Sequence, residues 1–205
     1  RAAIVGASGY TGAELMRRAG EGVFAQLMEW LPRLSPRHRR RLLVLAGKGN
    51  NGGDAWVVAA LAAERAGIPV AVATVVPVGA LSGDCRHWAE RCPPSVTVHA
   101  GLEALPPALL APGTVVIDGL LGTGFAGTLR DPLRRWIADV NDSRLPVFAL
   151  DLPSGVDADV GLAVDGEALR ADMTAVIGAW KPGLFSPSAR PYGGQWERID
   201  SGVAA

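Results

Sequence analysis

An excess of charge of either sign is missing from this chain: 20 lysines and arginines offset 20 aspartates and glutamates. That balance removes the electrostatic footprint expected of a nucleic-acid binder. Long apolar runs are missing too. Although 49% of the residues are hydrophobic, no uninterrupted stretch is long enough to span a bilayer. Cysteine is scarce, with Cys85 and Cys92 as the two examples. A helix over 79–91 would set them about 10 Å apart on one face. A disulfide needs Cα atoms within roughly 7 Å, so free thiols and a reducing compartment are expected. No basic-then-apolar signal segment opens the sequence, and the expected location is cytoplasmic. The first residue is Arg1 rather than Met, which reads as a chain processed or cut from a longer product. His38, His87 and His99 stand in no metal-binding or triad-like pattern.

What is present is glycine, 26 residues of it, placed after short apolar runs. Strand-like runs recur at Leu42–Ala46, Val70–Val76, Val96–His99, Thr114–Asp118, Val147–Asp151 and Met173–Gly178, with a weaker one at Gln195–Asp200. Helix-like segments lie between them, at 13–31, 55–66, 79–91, 102–110 and 130–142. Residues 182–194 read as a loop and 201–205 as a frayed tail. The alternation predicts an α/β fold: a three-layer α/β/α sandwich around a mostly parallel sheet. A single domain over residues 1–205 is expected. Nearly continuous apolar strands fit a sheet covered on both faces.

In such a sheet, ligands bind beyond the carboxyl ends of the strands. Those ends are polar here. The first strand runs into Gly47-Lys48-Gly49-Asn50-Asn51-Gly52-Gly53-Asp54. A glycine-rich strand-to-helix turn lets the backbone approach a ligand, and helix N-termini attract phosphates. Asp54 is expected to start or cap the helix. The loop is no Walker A motif, because Lys48 precedes its later glycines. The next strand ends in Val75-Val76-Pro77 without the acidic residue that ribose capture by a dinucleotide fingerprint requires. The other strand ends carry Asp118, then Gly122, Thr123, Gly124, Phe125, Ala126, Gly127 and Thr128; Asp151, then Ser154; and Lys181. A carboxylate at the end of a buried strand needs donors or a cation, and the two aspartates Asp118 and Asp151, with Asn51 and Ser154 nearby, could supply oxygen ligands for a hard cation whose identity these residues leave open. Trp56 and Trp180 are candidates to stack on a ring. The basic run Arg37–Arg41 reads as a solvated linker.

Two resemblances follow from these segments. Residues Ala3 to Leu15 are similar to the opening of an NAD(P)-dependent reductase such as N-acetyl-glutamyl-phosphate reductase, but the likeness stops there. Far more of the chain, from about Glu14 to Asp200, resembles the YjeF N-terminal domain family. The segments that carry it are GKGNNGGD (47–54), VIDGLLGTGFAGT (116–128), ALDLPSGVD (149–157) and AVIGAWKPGL (175–184). Leu15–Gly20 is similar to a family helix motif, with Arg17 where glutamate is usual. Ala55 replaces a common glycine, and Trp56 follows it.

That resemblance implies a Rossmann-like sandwich and an isomerase activity: epimerisation of NADH or NADPH hydrated at C6 of the nicotinamide ring, a metabolite-repair reaction. It implies substrate binding by Asn50, Asn51, Gly52, Gly53, Asp54, by Gly122 to Thr128, and by Asp151. It implies a potassium ion (K+) held by Asn51, Asp118 and Ser154. Asp151 is the catalytic candidate, stabilising an iminium-like cation and moving its proton. Implied partners are the hydrated coenzyme, an ADP- or ATP-dependent dehydratase, fused C-terminally in many bacterial relatives, and a second copy in a homodimer. No membrane or nucleic-acid partner is expected. The alternative is a non-catalytic Rossmann-like nucleotide- or RNA-binding module.

Overall fold

The computed structural model describes residues 10–125 and 127–199. The N-terminal reductase-like stretch up to residue 9, Ala126, the end of the last strand at Asp200 and the 201–205 tail lie outside the described residues. In chain order the main elements are α1 (Gly12–Trp30), β1 (Arg41–Ala46), α2 (Asn50–Arg65), β2 (Val70–Thr74), α3 (Gly83–Ala89), β3 (Thr97–Ala100), β4 (Thr114–Gly119), α4 (Leu133–Ser143), β5 (Val147–Leu150), β6 (Met173–Ile177), the single turn α5 (Arg190–Gly193) and β7 (Gln195–Ile199).

Among the described residues seven strands form one sheet, in the order β3-β2-β1-β4-β5-β6-β7. Every pairing is parallel, so the sheet is wholly rather than mostly parallel. The strand order reverses direction between β1 and β4. A crevice opens at such a switch point, outside the carboxyl ends of the strands.

Alternation along each strand divides the core in two. Leu42, Val44 and Ala46 of β1 face one side with Ile117, Phe148 and Leu150, and pack against Val23, Leu27 and Trp30 of α1 and Val58 and Ala62 of α2. Leu43 and Leu45 face the other side with Val116 and Ala149, against Trp136, Ile137 and Val140 of α4. Both faces of the central strands are therefore covered, which is why they read as unbroken apolar runs.

Three expectations need correction. The segment 102–110 forms only a short 3-10 turn at Pro107–Leu110. Pro106 and Pro107 lack the N–H groups a helix would use there. The segment 79–91 starts its helix at Gly83, after a separate turn at Val78–Ala80. Gly83 has a φ of 57°, a left-handed conformation suited to glycine that breaks any continuous helix. Within 182–194, expected as loop, short helical turns occur at Pro182–Phe185, Pro187–Ala189 and Arg190–Gly193.

Candidate active site

Helix α2 begins at Asn50, five residues earlier than the sequence suggests, with Gly49 as its N-cap. Gly52 and Gly53 thus lie inside the first turn, where glycine is normally unfavourable. Packing overrides propensity. A Cβ on Gly52 would collide with the Gly47 carbonyl, and one on Gly53 with the Met16 thioether of α1. Gly47 is equally constrained, because a Cβ there would strike the Leu120 carbonyl of the loop after β4. Asp54 is accordingly not the cap. It is a buried residue inside the helix.

Four chain segments border one cavity of about 480 Å³. Lys48, Gly49, Asn50, Asn51 and Asp54 come from the β1–α2 turn. Leu120, Leu121, Gly122, Thr123, Gly124 and Phe125 come from the loop after β4, and Asp151 and Ile177 from the ends of β5 and β6. The rim expected from the strand ends is therefore real. Gly52 and Gly53 sit behind it, shaping the turn rather than facing the cavity. Gly127 and Thr128 lie outside the lining, and Ala126 lies outside the described residues.

A continuous hydrogen-bond relay ties the loops together beneath the rim. Asn51 Nδ2 donates to the Leu121 carbonyl at 2.7 Å. The Leu121 N–H donates to Ser154 Oγ at 2.9 Å. Ser154 Oγ donates to Asp118 Oδ1 at 2.6 Å, and the Ser154 N–H to Asp118 Oδ2 at 2.7 Å. The Leu120 N–H adds a third bond to Asp118 at 3.2 Å. Burial pushes the Asp118 carboxyl up to about 6, against the lowering effect of these bonds. A fully buried carboxylate so placed is satisfied only because three donors converge on it.

Asn51 Oδ1 is buried and has no hydrogen-bond partner. A buried amide oxygen left unpaired costs free energy that a ligand would recover. With Asp118 and Ser154 it makes an all-oxygen set carrying a single formal negative charge, which fits a monovalent hard cation. Among the described residues, no group of three or more His, Cys, Asp or Glu side chains converges on a metal-sized space.

Asp151 stands in the left-handed region, with φ of 64°, at the turn that leaves β5. Such strain in a non-glycine residue is held by its surroundings. The Ile177 N–H donates to Asp151 Oδ1 at 3.0 Å, Lys181 Nζ forms an ion pair with the same oxygen, and Lys181 Nζ also donates to the Ile177 carbonyl at 2.7 Å. Lys181 is thus no free surface lysine. Asp54 takes a different course. Burial, and then the charge of Asp151, hold its carboxyl well above the usual carboxylate range. Burial, and then the charge of Asp54, likewise push the Cys85 thiol up to about 11. Cys85 and Cys92 are both free thiols, as expected.

The two tryptophan candidates separate. Trp56 is fully buried in the core and cannot stack on a ligand. Trp180 is exposed beside Lys181 and packs edge-on against Phe185 at 5.6 Å between centroids. Ile177 and Leu120 carry no polar group, so nothing in the sequence marked them as lining residues. Lys48 also lines the cavity, although its place in the loop gave it no binding role on sequence grounds.

A family model described as YjeF-related protein N-terminus matches residues 12–183. The chain is 37% identical over 188 residues to the bifunctional NAD(P)H-hydrate repair enzyme Nnr of Coxiella burnetii, covering 92% of this chain and 36% of that protein. It is 33% identical to the NAD(P)H-hydrate epimerase of Pirellula staleyi, covering 95% and 85%. The chain therefore spans about a third of the length of the bifunctional relative and most of the single-activity one. The crystal structure of yeast ynu0 (YNL200c) superimposes with a TM-score of 0.76 at 21% identity, covering 95% of this chain and 81% of that one. That likeness establishes the Rossmann-like fold.

Proposed function

The chain belongs to the family of YjeF-related protein N-termini, and from that premise we propose that it is an NAD(P)H-hydrate epimerase. Its substrate is NADH or NADPH hydrated at C6, and it interconverts the R and S epimers. The observation that carries this reading is the relay from Asn51 through Leu121 and Ser154 to Asp118, set beneath a cavity that Asp151 and Asp54 border. A bare fold would not need buried carboxyls at this rim. Their presence supports an enzyme over a non-catalytic nucleotide- or RNA-binding module.

The chemistry follows from the groups present. The free N–H groups at the start of α2 and the glycine-lined loop after β4 suit the substrate's pyrophosphate. The reacting carbon carries a hydroxyl next to the ring nitrogen. When that hydroxyl departs with a proton as water, the nitrogen lone pair gives an iminium cation, and water can return to either face. The Asp151 carboxylate, fixed by Lys181 and the Ile177 N–H, stabilises the cation and handles the proton. Asn51 Oδ1, Asp118 and Ser154 Oγ would hold a potassium ion. Bound there, the ion would supply positive charge that fixes the three loops relative to one another. The structure supports this by the unpaired Asn51 Oδ1.

The same proposal includes its partners. Epimerisation supplies one stereoisomer to a dehydratase; that several relatives are named bifunctional repair enzymes supports a second activity working beside this one. A homodimer in the cytoplasm is part of the reading, with the two free thiols in keeping with a reducing compartment. Among the described residues no helix is long and apolar enough to cross a membrane. The test is a coupled assay. An S-specific dehydratase acting on a mixture of hydrated NADPH epimers should stop near the S fraction alone, and run to completion once this chain is added. A reaction that still stops there excludes the epimerase activity.

A further inference from the structure

Two carboxyl side chains border the cavity, and they are held in unlike ways. Asp151 enters from the turn after β5 and is gripped by a cation and a backbone donor, Lys181 Nζ and the Ile177 N–H. Asp54 enters from α2, is buried, and takes no hydrogen bond from the described residues. It also borders a second, smaller cavity of about 260 Å³, with Met16, Asp84 and Ile177, so it lies between two spaces that share one wall. The charged and titratable groups around it are Asp151 and Lys48 on the main cavity, Asp84 on the smaller one, and Cys85 of α3. Among the described residues none of these groups donates a hydrogen bond to Asp54, whereas Lys181 pairs directly with Asp151.

Resting on the epimerase reading, we infer that Asp54 is a second catalytic residue, the acid–base partner of Asp151 on the other face of the substrate ring. The pair fits an epimerisation in which each face needs its own proton carrier. In one direction the Asp54 carboxylic acid gives its proton to the C6 hydroxyl. The C–O bond breaks, water leaves, and the ring nitrogen lone pair forms the C=N bond of the iminium. A water on the opposite face then adds to C6 and gives its proton to the Asp151 carboxylate. Atoms and charge balance: one proton has moved from Asp54 to Asp151, and the centre is inverted. The reverse direction exchanges the two roles, and proton exchange with solvent resets the pair. Burial without a donor is what a group needs to carry a proton into this reaction.

The test uses ¹⁸O-water and separated epimers of hydrated NADPH. Wild-type enzyme should interconvert the epimers and label both; failure at this step would count against the epimerase reading itself. Asp54→Asn and Asp151→Asn should each lower interconversion by about 10²-fold or more. Each variant should still exchange label into one epimer, and a different one, because the surviving carboxyl serves its own face. Asp54→Ser, whose hydroxyl is far too weak an acid to replace the carboxyl, should repeat the Asp54→Asn pattern. A cooperative thermal unfolding transition followed by circular dichroism shows that the variants are folded. An active wild type whose Asp54→Asn form interconverts at the wild-type rate overturns the assignment, leaving the epimerase reading intact. So does label entering the same epimer, or neither, in the two asparagine variants.

Discussion

Lys181 Nζ bridges the Asp151 carboxylate and the Ile177 carbonyl, with both charged side chains mostly buried, at 12% and 15% exposure. The pair joins the end of β6 to the end of β5 and aims Asp151 into the cavity. Removing one partner of a buried pair strands the other's charge, which costs about 3–5 kcal/mol. Lys181→Met should therefore lower the melting temperature by roughly 10 °C, given about 2–4 °C per kcal/mol for a chain of this size. Thermal unfolding followed by circular dichroism checks it. A shift below a couple of degrees would mean that the pair is open in solution.

Asp151→Asn keeps the shape of the side chain and removes its charge. It should lower turnover by about 10²-fold or more, the scale of a general acid–base contribution. Because lysine remains beside a neutral amide, binding of NADPH should change far less than turnover. Steady-state kinetics alongside a binding titration separates the two effects. Unchanged turnover would remove Asp151 from the chemistry.

Asp54 makes a pH-dependent prediction. Its carboxyl is raised in the folded state by burial and then by Asp151. A raised folded value means that the folded state binds the proton more tightly than the unfolded chain. Its contribution is then fully favourable below the unfolded carboxylate range and is lost as pH rises toward the folded value. Asp54→Asn, which cannot ionise, should therefore be more stable than wild type at pH 7. The gain should shrink as pH falls and vanish near pH 4, the unfolded carboxylate value. Urea unfolding at several pH values reads this directly; a gain that grows on acidification would reverse the assignment.

Glycines of the β1–α2 turn should differ sharply. Gly52 faces the Gly47 carbonyl, whereas Gly49 has open space where a Cβ would stand. Gly52→Ala should cost about 1–3 kcal/mol, the scale of overpacking, and should weaken NADPH binding as the turn shifts. Gly49→Ala should be near neutral in stability. Paired denaturant curves test the contrast, and equal costs would contradict the packing described for the turn.

Much of this was legible in the residues, for a physical reason. Strands buried on both faces must be apolar throughout, so β1, β4, β5 and β6 stood out, and their polar ends located the rim. The start of α2 was hidden because Gly52 and Gly53 look like loop residues. Only the nearness of Gly47, Met16 and Cys85 explains glycine inside a helix there. The Asp151–Lys181 pair spans 30 positions, with no periodicity to announce it. Trp56, a stacking candidate from its place beside the loop, is core instead, because a helix packed on all sides presents no polar face to orient it. The same holds for Asp54, which read as a cap and is instead a buried acid.

Potassium should stabilise the protein through the oxygen set of Asn51, Asp118 and Ser154. Anything that binds the folded state alone raises stability by mass action. Melting temperature should rise with added potassium chloride more than with equal tetramethylammonium chloride. The difference should disappear in Asn51→Ala, which lacks the unpaired Oδ1. An identical response of both proteins to the two salts would speak against a cation at this relay.

Epimerisation by this chain is read most directly from one pure stereoisomer. The R epimer of C6-hydrated NADPH, incubated with this chain in potassium buffer and followed by chromatography, should equilibrate with the S epimer far faster than without protein. Equilibration at the protein-free rate, under conditions where the chain is folded and binds NADPH, would exclude the epimerase activity.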